Sequence, residues 1–228
     1  MLDLTPLWIS MKTSLTATAI TFFLGLAVAY WMAHYKGRLK GIIDGLLILP
    51  MVLPPTVVGF ILLLVFGKNS FIGGLLANFD ITVVFTWWAT VIAATVVAFP
   101  LMYKTARGAF EQVDMTYIEA ARTLGYHDLK IFWKVVLPLA WPGIAAGTIL
   151  SFARALGEFG ATLMLAGSIP GKTQTVPIAI YFASEGGNMD QAFIWVMIII
   201  SISLMVVVLS NLWTTKRYST IGRVRGDR

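Results

Sequence analysis

The sequence contains no cysteine, and only 12% of its 228 residues are charged. Without cysteine, neither a disulfide framework nor a thiolate metal site can form. A soluble domain of this size carries roughly a quarter charged residues, so a fully water-exposed fold is excluded. Two histidines occur, His34 and His127, and neither has a partner at metal-ligand spacing. No phosphate loop of the form G-x-x-x-x-G-K-[ST] is present, so ATP hydrolysis by this chain is not expected. No apolar run carries Asp, Glu or His near its midpoint, which argues against a proton-coupled transporter with an intramembrane relay. Catalytic residues, metal ligands and cofactors are therefore all expected to be absent.

Apolar residues make up 58% of the chain, and the mean hydropathy is +0.81. This composition indicates an all-α integral membrane protein, and the length fits one domain over residues 1–228. Five spans are expected, at about 8–33, 42–66, 81–102, 138–157 and 191–213. The first lacks the basic leader of a signal peptide and reads as a retained helix. The second is interrupted by Pro50, Pro54 and Pro55. Each proline removes a backbone donor and crowds the preceding turn. The run is either a kinked helix packed on its neighbours or a broken helix lining a permeation path. The fourth is rich in small residues, which let helices approach closely in lipid. Residues 158–190 hold two apolar pieces too short to span, and read as an extracytoplasmic loop, partly re-entrant.

Lys and Arg distribution sets the orientation. Thirteen of the 17 basic residues fall in three segments, namely Lys36 to Lys40, Lys104 to Lys134, and the tail from Lys216 to Arg228. Positive charge stays on the cytoplasmic side. The N-terminus is thus expected outside, and the C-terminus and the polar loop 103–134 inside. The net charge of +6 follows from this topology, and nucleic acid is not an expected partner.

The polar loop has its own local signals. Asp114 suits the N-cap of a short helix with Ile118, Ala121 and Leu124 on its apolar face, and Gly125 suits a left-handed C′ position. Asp128 suits the cap of a second short helix with Leu129, Phe132 and Trp133 as its apolar face. Pro138 suits a first helical turn. Physical reasoning leaves two roles open for this segment, lying on lipid headgroups or docking on a protein. Arg154 and Glu158, four apart, share a helix face. They form either a structural ion pair or a contact for a passing anion. Asp44 reads as a plain helix cap.

The pattern Glu119-Ala120-Ala121, Gly125, Ile131 and Leu137-Pro138 resembles the cytoplasmic loop of binding-protein-dependent ABC importer permeases of the type I fold. The runs 48–60, 121–125, 151–162 and 169–181 resemble the molybdate permeases of that family, with sulfate and tungstate permeases as close relatives. The resemblance implies an ATP-driven importer of an oxyanion, molybdate first, in a bacterial or archaeal cytoplasmic membrane. It also implies two cytoplasmic ATPase subunits, an extracytoplasmic oxyanion-binding protein and a second copy of the chain as partners. Glu119, Ala120, Ala121, Arg122, Gly125, Asp128, Ile131 and Pro138 would then form the ATPase-coupling loop. Pro50, Pro54, Pro55, Arg154 and Glu158 would be candidates for the translocation path or gate. A channel or secondary transporter working alone is the reading from another class.

Overall fold

A computed structural model describes the backbone of residues 3–225 and the side chains through Val208. The basic tail from Lys216 to Arg228 has its side chains outside the described residues. Among the described residues every regular element is helical. The chain divides into two compact units, residues 1–179 and 180–228.

The first unit is built on three long helices, α1 (Thr5–His34), α5 (Trp87–Glu111) and α8 (Leu137–Leu156). The face that α1 buries is made of small and hydroxyl residues, including Ser10, Thr13, Ser14, Ala17, Thr18, Thr21, Gly25 and Ala29, while Leu15, Phe23, Leu24 and Trp31 face outward. That inverts the pattern of a soluble helix and matches packing in lipid, where close backbone approach replaces hydrophobic burial. The hydroxyls are satisfied locally or across the interface. Thr21 donates to the Ala17 carbonyl at 2.6 Å, Thr13 and Thr90 share a bond of 2.9 Å, and Trp87 Nε1 donates to Thr13 Oγ1 at 3.0 Å.

The contact between α5 and α8 depends on glycine. A Cβ on Gly143 would come within 2.6 Å of the Ala109 Cβ, and one on Gly147 within 3.1 Å of the Thr105 Cβ. Four residues apart on one face, these two glycines let the helices meet backbone to backbone.

The apolar run 42–66 is two helices, α2 (Lys40–Val52) and α3 (Pro55–Phe66), meeting at 111°. Of the two possibilities left by its prolines, this is the broken form. Leu53 is extended, Pro54 follows, and Pro55 opens α3, where its fixed φ and missing N–H cost nothing. Pro50 remains inside α2. A short helix, α4 (Phe71–Ala77), follows α3, capped by Ser70, whose hydroxyl accepts from the Gly73 N–H at 2.8 Å.

Three boundaries differ from the sequence expectation. The third expected span, α5, begins at Trp87 rather than at residue 81, because Phe85 sits at positive φ and ends the preceding irregular segment. It then runs past residue 102 to Glu111, so the polar loop starts nine residues later than its charges suggest. The fourth helical stretch begins at Asp128 rather than Pro138, as α7 (Asp128–Ile131) and a π-helical turn (Phe132–Val136) lead straight into α8. The wide turn accounts for Pro138. A proline ring displaces the carbonyl four residues back, and the wider π spacing absorbs that displacement.

The stretch after α8 also holds structure. Helix α9 (Gly160–Ala166) is buried against α3, with Gly59 so close to Ala161 that a Cβ there would meet its Cα at 2.7 Å. Helix α10 (Val176–Glu185) follows, its first N–H donating to Ser10 Oγ at 2.8 Å. In the second unit, α11 (Met189–Arg225) carries an apolar stretch, Met189–Val208, long enough to cross a membrane.

Candidate functional site

Between α5 and α7 lies helix α6 (Met115–Thr123). Asp114 caps it as its sequence position suggests, accepting the Thr116 N–H at 2.9 Å and the Thr116 hydroxyl at 2.8 Å. Those two bonds, the backbone one first, hold the Asp114 carboxyl below its ordinary value. At the other end Gly125 adopts φ +78°. The Gly125 N–H donates to the Arg122 carbonyl at 2.9 Å and the Tyr126 N–H to the Ala121 carbonyl at 3.1 Å. This pair of bonds is a Schellman closure, which requires a left-handed residue at C′.

The next cap corrects the sequence reading. His127, not Asp128, is the N-cap of α7, its Nδ1 accepting the Lys130 N–H at 3.3 Å. That leaves Asp128 free to pair with Arg122, Nη2 to Oδ1 at 3.2 Å. Lys130 lies over the Tyr126 ring at 3.9 Å. The first contact ties α6 to α7, the second ties α7 to the segment between them, and the two helices form a compact knob.

The knob rests on a buried base. Ile118, Ala121 and Ile131 join Phe110 and Val136 in the main apolar cluster. Beneath them Tyr30 stacks edge-on with Phe132 at 4.7 Å and with Phe110 at 5.4 Å. Thus α1, α5 and the start of α8 all support the knob. Leu124, Leu129 and Trp133, read from sequence as part of the knob's apolar faces, point outward, with Leu124 at 74% exposure. The reason is phase. Helix α6 ends at Thr123, and the chain reverses at Gly125, which carries Leu124 off the buried face. With Met115 and Tyr117 these residues give the knob an exposed apolar surface. Glu119, Ala120, Arg122 and Asp128 are exposed on the same knob, while Ala121 and Ile131 are buried and serve its base.

A polar network beside the knob was not expected from sequence. Asp44 does not cap α2. It accepts from the Tyr103 hydroxyl at 2.7 Å and pairs with Arg107 at 2.5 Å. Arg107 also pairs with Glu111 at 2.8 Å, which lies 3.8 Å from Lys40. The signal available in sequence was the i, i+4 spacing of Tyr103, Arg107 and Glu111, which only a continuous helix past residue 102 puts on one face.

At the far end of α8, Arg154 pairs with Glu158 at 2.7 Å. Glu158 is the one buried carboxylate among the described residues, at 2% exposure, and its other oxygen accepts the Ala161 N–H at 2.8 Å. It fixes the turn from α8 into α9. Pro55 and Thr56 pack on Gly160, so the break between α2 and α3 and the Arg154–Glu158 pair meet at the start of α9. Pro50 is not part of that junction. Among the described residues no cluster of His, Asp and Glu could hold a metal ion.

Long apolar helices, one sharply broken pair and an exposed helical knob make up a multi-pass membrane protein. Its fold is that of type I ABC importer permeases. A subunit of the MetNI methionine ABC transporter in an inward-facing conformation superposes with a TM-score of 0.76 over 94% of this chain and 95% of that one, at 15% identity. A bacterial ABC transporter that imports alginate gives 0.71 over 91% and 78%, at 14% identity.

Sequence places it more narrowly. Residues 21–213 match the family described as binding-protein-dependent transport system inner membrane component, and the chain belongs to that family. It is 48% identical to YvgM of Bacillus subtilis over 88% of this chain and 89% of that one. It is 41% identical to the molybdenum transport system permease protein ModB of Escherichia coli K12 over 96% and 95%. Identity to ModB of Haemophilus influenzae is 37%, over 95% of both chains.

Proposed function

We propose that this chain is the membrane-spanning subunit of an ATP-driven importer that carries molybdate across a bacterial cytoplasmic membrane. The observation that carries the substrate is its likeness, along almost the full length of both chains, to permeases named for molybdenum transport. ATP is hydrolysed by separate subunits, and an extracytoplasmic binding protein delivers the anion. Two copies of the chain enclose the path and two ATPase subunits sit beneath them.

The α6–α7 knob is the docking element for the ATPase. Its exposed apolar residues, Met115, Tyr117, Leu124 and Leu129, offer a surface that gains from burial in a protein groove. Glu119 and Arg122 flank that surface, Ala120 permits close approach, and Gly125 sets its shape. The buried base of Ala121, Ile118 and Ile131 makes the knob rigid, so that a push on it reaches α1, α5 and α8. Pro138 and the π turn lie where that motion enters the membrane. ATP-driven closure of the ATPase pair then switches the path between inward-facing and outward-facing states. The Pro54–Pro55 break and the Arg154–Glu158 pair, joined through α9, form the extracytoplasmic gate region, with the ion pair acting structurally.

Competition discriminates the substrate. Uptake of labelled molybdate is expected to fall most with unlabelled molybdate, less with tungstate and least with sulfate. Strongest competition by sulfate would reassign the chain to sulfate transport.

A further inference from the structure

A cavity lies on the face opposite the knob by topology, beside the apolar cluster where α3 packs on α9. It measures about 490 Å³ and is enclosed by the end of α3, by α4 and by residues 81–86. Leu63, Phe66, Leu76, Ile81 and Val83 supply apolar walls. Its charged lining residues are two lysines, Lys68 and Lys172, and no acidic side chain lines it. Among the described residues neither lysine forms an ion pair. Lys68 and Lys172 come from two separate segments of the chain and converge here.

The surroundings belong to a membrane interface. Phe71 is 83% exposed, and Leu75, Phe79 and Phe85 are exposed on the same segment. Trp87 and Trp88 follow at once, as tryptophans do at headgroup depth. A water-facing surface with this much exposed apolar area beside an apolar cleft would be unfavourable. Acyl chains against the phenylalanines and a phosphate between the lysines satisfy both features together.

We propose that this cavity binds an anionic phospholipid of the outer leaflet, its phosphate held by Lys68 and Lys172 and its upper acyl chain by Leu63, Phe66, Leu76 and Ile81. This site is independent of the transported anion and of the knob.

The complex with its ATPase is purified into nanodiscs containing equal amounts of dioleoyl phosphatidylglycerol and dioleoyl phosphatidylcholine, and retained lipid is read by native mass spectrometry. The expected result is preferential retention of phosphatidylglycerol, falling on the order of tenfold in a Lys68→Gln, Lys172→Gln variant, as two lost lysine contacts imply. Both lysines are exposed, so the variant is expected to fold, and Leu76→Trp, which fills the cavity, gives a second route to the same loss. Equal retention of the two lipids, or unchanged preference in both variants, overturns the proposal. So does a variant that keeps its lipid but loses affinity for the extracytoplasmic binding protein, because the lysines would then serve protein docking. None of these readings depends on which anion is transported.

Discussion

Arg107 of α5 and Asp44 of α2 form an ion pair, Nη1 to Oδ1 at 2.5 Å, that anchors the cytoplasmic half of the broken helix pair. No side chain of α2 is fully buried, so this network is a principal tie between α2 and the α1–α5–α8 core. Asp44→Ala leaves Arg107 and the Tyr103 hydroxyl without their shared acceptor. Both side chains of the pair are partly solvated, so the expected loss is about 1–2 kcal/mol. It is read as a lower thermal midpoint in detergent. Exchanging the two residues (Asp44→Arg with Arg107→Asp) is expected to recover part of it.

Gly125 tests the knob's backbone. Nothing lies within 4 Å of a Cβ placed there, but its φ is +78°. Gly125→Ala therefore costs about 1 kcal/mol through conformation alone, and Asn, which tolerates the left-handed region, costs less. Uptake is expected to rank Gly above Asn above Ala. Equal and complete loss in both variants would mean that the ATPase itself occupies the space beside Gly125.

Much of this arrangement was legible in the sequence, and the failures have physical causes. Length of apolar run was sufficient for α1 and for the apolar part of α11. The Asp114 cap and the left-handed Gly125 were readable because each residue type has few alternatives at such positions. The end of α5 was not readable. Lys104, Arg107 and Glu111 look like loop residues until their network with Asp44 is seen. His127 and Asp128 are both competent caps, and only geometry chose between them. Spacing groups Leu124 with Ile118 and Ala121, and Leu129 with Phe132, but does not say which way each side chain points. The outward direction of Leu124 depends on where the chain reverses, at Gly125, two residues beyond the helix.

The α5–α8 contact predicts a size-compensation pair. Gly143→Ala places a methyl 2.6 Å from the Ala109 Cβ and is expected to destabilise by about 1–3 kcal/mol. Ala109→Gly in the same chain is expected to restore most of it. Thermal unfolding of the four proteins of the cycle measures the coupling, and strict additivity would refute direct contact.

At the α8–α9 junction, Arg154→Ala strands the buried Glu158 carboxylate, which no longer has its cation at 2.7 Å. Because Arg154 is 30% exposed, the expected loss is about 2–4 kcal/mol, somewhat below that for a fully buried pair. Glu158→Gln retains an oxygen for the Ala161 N–H and is expected to be milder in stability. If Arg154→Ala alters molybdate affinity while leaving stability unchanged, the pair contacts the anion instead.

The central claim is that ATP drives this chain through the exposed apolar surface of the knob. The most direct measurement is uptake of labelled molybdate into vesicles reconstituted with the chain, its ATPase and its binding protein, comparing wild type with Leu124→Asp. The wild type is expected to accumulate molybdate only with ATP, while Leu124→Asp inserts normally, fails to retain the ATPase and accumulates none. Accumulation without ATP, or at the wild-type rate in Leu124→Asp, would contradict the account.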